Sequence, residues 1–277
     1  MTAELFAPGL FGEDEWVGCS GFLNDGTVFV YSSMKDGTDW RFKPTYVMEL
    51  VNGIWTEPVV APFSAYMPYN FTVGPAGKTI YFTTLKSPDK STSMLLEQAN
   101  IWAVTLVDTE WTEPIMLGSS INTEEHYENY PTVARDGTVY YMSRREDSVG
   151  KTDIYRSRNR DGRYADAENL GPPINSVESD QDPFIAPDGS YLIVCLTGRE
   201  DSFGGYDLYV SFPGEDGTWS EPLNLGAGVN TVESEFRPYV TADGEYLFFT
   251  SLDSNAGKIG RIFWVSARVI QEAAAGK

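Results

Sequence analysis

By type and spacing, Glu128, Asp180 and Glu235 are the residues best suited to do chemistry in this chain. Each stands three positions before a proline (Pro131, Pro183, Pro238), and each opens a segment rich in apolar and aromatic residues. Carboxylates brought to one mouth of a closed ring could do acid/base work on a glycosidic bond. They could also hold a hard cation such as calcium. The structural alternative is that each acid caps the backbone of its own crossing, beside Asn122, Asn175 or Asn230. Their repetition in register favours capping, because scaffold roles recur with a repeat and catalytic roles break it. Asp153 and Asp207, before Ile-Tyr and Leu-Tyr, repeat in the same way and read as scaffold.

Residues that break the pattern are better site candidates. Arg144, Arg145 and Arg199 follow the second strand of their units, Lys86 takes the matching place one unit earlier, and the first unit offers Trp40 and Arg41. Arginine beside aromatics suits a carboxylate-bearing or sugar ligand; the alternative is that these cations pair with surplus surface acids. His126 is the only histidine. It cannot build a multi-histidine zinc site, and a base role lacks the partner of a nucleophile elbow or reactive cysteine. No glycine-rich phosphate loop opens a helix, so nucleotide chemistry is not indicated. No metal site and no cofactor are expected, with calcium in the mouth as the one exception considered.

The elements that must position these residues are repeated. An Asp-Gly turn recurs at Asp25-Gly26, Asp136-Gly137, Asp188-Gly189 and Asp243-Gly244, with a degenerate copy at Ala76-Gly77; the spacings are 51, 60, 52 and 55 residues. Asp-Gly between alternating apolar runs is a hairpin signal. Each copy continues into a third strand, such as Asp207-Leu208-Tyr209-Val210-Ser211, and a fourth near Trp55-Thr56-Glu57-Pro58, Trp111-Thr112-Glu113-Pro114 or Trp219-Ser220-Glu221-Pro222. Proline cannot donate to a ladder, so the fourth strand belongs at an edge. Four antiparallel strands ending on such an edge describe a propeller blade.

The last copy ends after its third strand, and the missing strand appears at the N-terminus, where Leu5-Phe6-Ala7-Pro8 resembles Val59-Val60-Ala61-Pro62. The prediction is an all-β, five-bladed β-propeller in one domain over residues 1–277, six blades being the alternative. A closing strand is expected over about residues 4–10 and a tail over about 267–277, helical or disordered. The tight turns fall on one face. The long second-to-third loops and the crossings fall on the other, where function is expected.

Composition narrows the classes. Aromatic residues make up 14% of the chain, with Tyr and Phe at alternating positions, which favours strands. The net charge of -20 repels phosphate backbones and anionic membranes, so nucleic acid is excluded as a partner. No 18-residue apolar run suggests a transmembrane helix. The start lacks signal-peptide regions, so the chain is either intracellular or has had its signal removed. Cys195 reads as a small buried hydrophobe, and no bridge to Cys19 is expected.

The pattern Pro-x-x-x-x-Asp-Gly, Tyr/Phe-Phe-x-Ser, Asp-Ile/Leu-Tyr and Trp-Ser/Thr-Glu-Pro-x-x-Leu-Gly resembles the WD-like propeller repeat of the bacterial TolB-type family. The resemblance covers nearly the whole chain. It weakens in the first two units, where Val17 and Ser20, then Pro68 and Phe71, replace the acid and the proline. It implies a periplasmic or secreted binding platform, and no activity, because this fold hosts unrelated functions. The function expected is therefore a non-catalytic, monomeric binding propeller with a protein or saccharide ligand on the loop-bearing face. The competing expectation is a carbohydrate-active enzyme using Glu128, Asp180 and Glu235.

Overall fold

A computed structural model describes residues 1–35, 43–89, 91–92, 94–253 and 259–276. The chain opens with a two-residue strand, β1 (Glu4–Leu5), and then builds blades in order. Blade 1 holds β2 (Glu15–Leu23), β3 (Val28–Lys35), β4 (Thr45–Val51), β5 (Ile54–Trp55) and β6 (Val59–Val60). Blade 2 holds β7 (Asn70–Val73), β8 (Thr79–Lys86), β9 (Leu95–Val107), β10 (Glu110–Trp111) and β11 (Ile115–Met116). Blade 3 runs through β12 (Glu128–Val133), β13 (Val139–Ser143) and β14 (Asp153–Ser157). It continues through a small hairpin, β15 (Asn159–Arg160) and β16 (Arg163–Tyr164), to β17 (Glu168–Asn169). Blade 4 is β18 (Asp180–Ile185), β19 (Leu192–Leu196), β20 (Asp207–Ser211) and β21 (Leu223–Asn224). Blade 5 is β22 (Glu235–Val240), β23 (Tyr246–Asp253) and β24 (Ile259–Ser266), followed by helix α1 (Arg268–Ala275).

These are the five antiparallel blades of a β-propeller. The ring closes as the repeats require: β1 is the outer strand of blade 5, with Glu4 opposite Trp264 and Leu5 opposite Phe263. The backbone amide of Phe6 extends the ladder to the Ile262 carbonyl at 2.9 Å.

The outer strands come in pieces, for a reason written in the Glu-Pro step. In blade 1, Trp55 pairs with Leu50 at the far end of β4, the chain detaches at Pro58, and Val60 pairs again with Tyr46. Blade 2 repeats this around Pro114. A residue without an N–H interrupts the ladder, and at a solvent edge the interruption exposes backbone to water rather than burying it.

The inner, second and third strands supply the core. Tyr141, Tyr155, Tyr209, Phe82, Ile80 and Ile154 are fully buried, and a continuous apolar cluster runs through blades 4, 5, 1 and 2. Both cysteines are buried and free. No helix among the described residues is long and apolar enough to cross a membrane.

Candidate functional site

Four of the five inner strands break their register at one position. The bulged residues are Cys19, Tyr130, Asp182 and Arg237, with φ of 22°, 50°, 48° and 54°. A bulge inserts one unpaired residue and turns its side chain away from the pleat. None of the four is a glycine, so each costs on the order of 1–2 kcal/mol of left-handed backbone strain. β7 has no bulge, and Asn70 occupies the equivalent level. The five blades therefore present five different side chains to the channel, near its loop-bearing mouth.

These side chains meet. Arg237 reaches from blade 5 to blade 2, donating from Nε and Nη2 to Asn70 Oδ1 at 3.2 and 3.0 Å. Asn70 donates to Asn129 Oδ1 at 2.9 Å, and Asn129 donates to the Tyr127 hydroxyl at 2.8 Å. The Arg237 backbone amide donates to Asp182 Oδ2 at 2.9 Å. The guanidinium lies 5.1 Å from the Trp16 ring centroid and 5.9 Å from that of Tyr130. Lys43 adds a second cation, its Nζ 3.8 Å from the Trp16 ring.

Trp16 is held by what its neighbours lack. A Cβ on Gly18 would fall 2.1 Å from the indole, and one on Gly260 would fall 2.6 Å from it. The ring lies across both backbones.

Asp182 is the exceptional member. It is 2% exposed, and its Oδ1 has no hydrogen-bond partner among the described residues. Burial pushes its carboxyl up to about 6, with Arg237 and Lys43 pulling the other way. Burial, reinforced by Arg237, brings Lys43 down to about 7. A buried acceptor without a partner costs on the order of 1–3 kcal/mol. The cavity beside it, lined by Cys19, Phe71, Tyr130, Asp182 and Arg237, measures about 20 Å³, room for one water or the tip of a ligand.

The three repeated carboxylates are placed differently. Glu128, Asp180 and Glu235 are all 0% exposed. Glu128 accepts from the Thr123 amide and hydroxyl at 3.3 and 3.2 Å. Asp180 accepts from the Ser176 amide and hydroxyl at 2.7 and 3.1 Å. Glu235 accepts from the Thr231 amide and hydroxyl at 3.1 and 2.8 Å, and from the Ser251 hydroxyl at 2.8 Å. Each is a cap on the crossing that precedes it. Burial raises Glu128 and Asp180 to about 7 and raises Glu235 as well, the hydrogen bonds opposing it. Asp153 and Asp207 cap their second-to-third loops, accepting from Val149 and Phe203 amides at 2.7 Å each.

The predicted cations scatter. Arg145 turns inward, its Nη2 donating to Glu128 Oε1 at 3.0 Å, the Ile121 carbonyl at 2.9 Å and the Tyr141 hydroxyl at 3.2 Å. With Glu128 fully buried, breaking such a pair costs about 3–5 kcal/mol, so Arg145 is committed to the scaffold. Arg199 lies over the Tyr209 ring and pairs with the exposed Glu221 at 3.4 Å. Arg144 is exposed, while Lys86 and His126 are half-buried on the loop-bearing side. The His126 amide donates to the Thr123 hydroxyl at 3.0 Å. Trp40 and Arg41 lie outside the described residues. None of the five described residues of this set joins the channel cluster, which instead gathers Asp182, Lys43 and Trp16, residues not singled out as site candidates from their types and spacing. One signal was available: the residue before Pro131, Pro183 and Pro238 changes from Tyr to Asp to Arg while its surroundings repeat.

Among the described residues, no group of three or more His, Cys, Asp or Glu side chains is arranged to hold a metal ion.

No protein-family model matches the chain, and no curated protein matches it. Solved structures do. The chain is similar to TolB from Acinetobacter baumannii at TM-score 0.50 and 13% identity, over 90% of this chain and 54% of that one. It thus spans about half the length of that TolB. It is similar to the GH43 endo-arabinanase from Bacillus licheniformis at TM-score 0.52 and 12% identity, over 92% of this chain and 95% of that one. The Bacillus subtilis arabinanase gives TM-score 0.54 and 12% identity, over 93% and 96%. At such identities the likeness is one of fold, and the fold it supports is the five-bladed propeller.

Proposed function

We propose that this chain is a non-catalytic binding propeller that takes a hydroxyl-bearing ligand, a saccharide in first place, at the loop-bearing mouth of its channel. The observation that carries this reading is Asp182 Oδ1, buried and unpartnered beside Arg237, Lys43 and the Trp16 ring. A sugar hydroxyl both donates and accepts, so it can bond the orphan oxygen while accepting from a neighbouring cation. The Trp16 ring, with Lys43 and Arg237 over it, holds those two cations in place beside the site. Since the cavity is about 20 Å³, only the tip of the ligand enters it and the body lies over the surrounding loops. The TolB-type repeat signature supports a home in the cell envelope or outside the cell.

The test is a saccharide binding screen by calorimetry, repeated with Asp182→Asn. A ligand that loses about tenfold to a hundredfold in affinity in the variant, with its melting temperature retained, supports the reading. Capture of protein ligands alone, insensitive to Asp182, overturns it.

A carbohydrate-active enzyme is the second reading. The raised carboxyls of Glu128 and Asp180 favour it, since a general acid must hold its proton near neutrality. Their complete burial against backbone amides opposes it. In the same screen, release of reducing sugar that disappears in Asp180→Asn would make this reading the better one.

A further inference from the structure

The face opposite the mouth, which carries the Asp-Gly turns, is not featureless. A cleft of about 960 Å³ opens there between the closing strand, blade 5 and the turns of blades 1 and 2. Its walls are aromatic: Phe6, Phe22, Tyr246, Phe248 and Trp264. Phe6 and Phe248 meet at 5.1 Å between ring centroids, Phe22 and Phe248 at 5.4 Å, and Tyr246 and Trp264 at 5.0 Å. The rings hold one another in place, so the cleft is preformed. Leu5 and Tyr246 remain 40% exposed at its lip. A monomer has no packing reason to leave such a surface open, and exposed apolar concavities mark interaction sites.

The rim is acidic. Glu4, Asp25 and Asp243 are exposed along it, and no Lys or Arg lies among the described residues that line the cleft. Asp243 also receives the Thr241 hydroxyl and the Glu245 amide at 2.6 and 3.1 Å, which fixes where its carboxylate stands. The occupant must therefore combine apolar bulk with positive charge. One more feature narrows it. β1 is the edge strand of blade 5, only two residues long, and it borders the cleft. An open edge can accept an extended backbone, which a small organic amine does not have.

We propose that this cleft is a docking site for an extended peptide segment of a partner protein, in which apolar side chains alternate with Lys or Arg. The apolar residues fill the aromatic cleft, the cations meet Glu4, Asp25 and Asp243, and cations near Trp264 or Tyr246 gain from the ring faces. This inference does not rest on the saccharide reading of the mouth, from which it differs in face, polarity and ligand.

The test uses a blocked hexapeptide alternating lysine and phenylalanine, its glutamate-for-lysine counterpart, and a xylo-oligosaccharide. Binding to the whole chain is read by calorimetry and by the indole emission that Trp264 should shift. The expected result is binding of the lysine peptide alone. Affinity should fall about tenfold in the triple variant Glu4→Gln, Asp25→Asn, Asp243→Asn, which keeps the turn acceptors and so the fold. It should fall steeply with salt and stay unchanged in Asp182→Asn. Equal binding of the glutamate peptide, preference for the oligosaccharide, or an unaltered affinity in a folded triple variant each overturn the proposal. Loss of peptide binding in Asp182→Asn would move the peptide to the mouth and overturn it as well.

Discussion

Asp182 shows how one side chain can couple binding, charge and stability. Its carboxyl, ordinarily near 3.8, is raised to about 6 by burial. The folded state then holds a proton that the unfolded state releases, so stability falls as pH rises between the two values and is flat above the higher one. Lys43, lowered from 10.5 to about 7, acts with the opposite sign: its contribution rises with pH from about 7 upward. Comparing urea denaturation of wild type and Asp182→Asn isolates the first effect. From about pH 4.5 to about pH 6.5 the wild type should lose stability relative to the variant, as linkage requires. A difference that does not change with pH would show that the carboxyl is not buried as described. This residue was hard to read in the sequence because its significance is non-local. Its neighbours Arg237, Lys43 and Trp16 come from blades 5 and 1, and only the ring brings them together. Glu128, Asp180 and Glu235 were legible as caps because their partners lie four or five residues away.

At the scale of elements, the crossings that leave blades 2, 3 and 4 fasten one blade to the next by the same device. Asn175 accepts from the Ile154 amide at 2.8 Å and donates to the Ile154 carbonyl at 2.9 Å. Asn230 does the same with Leu208 at 2.8 and 3.0 Å, and Asn122 with Ile101 at 2.7 and 2.8 Å. Each amide side chain thus completes both backbone groups of a third-strand residue, and the acid after it caps the next Ser or Thr. Asn230→Ala would leave the Leu208 amide buried and unpaired, while the Leu208 carbonyl keeps the Leu225 amide at 3.1 Å. It should cost about 1–3 kcal/mol by chemical denaturation, and Asn230→Asp should recover the acceptor for that amide. A loss under about 0.5 kcal/mol would mean that water replaces the clamp. The Ile/Val-Asn-Thr/Ser motif advertised this role by repeating. The bulges stayed hidden because they are backbone departures occupied by unlike residues, three of them before prolines that look like simple edge markers.

For the whole molecule, the decisive contact is the pairing of β1 with β24. Phe6 packs there against Phe29 of blade 1 at 5.2 Å and against Phe248 of blade 5 at 5.1 Å, so one short segment joins the two ends of the ring. Deleting residues 1–8 removes this tie. It should lower stability by about 3 kcal/mol or more, the scale of losing a packed Phe. It should also open blades 5 and 1 to hydrogen exchange ahead of blade 3; uniform exchange across all blades would show that closure is not the weak point. The ring was legible because turn chemistry and spacing recur along the chain, whereas the cleft on the turn face was not, being made by residues remote in sequence. The same closing strand has a consequence for how the protein is made. Glu4 and Leu5 emerge from the ribosome long before Phe263 and Trp264 exist. Early blades can form during synthesis, but blade 5 must wait, with the aromatic side chains of its seam exposed to water. Until β24 is made the ring is an open arc, the interval in which a chaperone would be of most use to it.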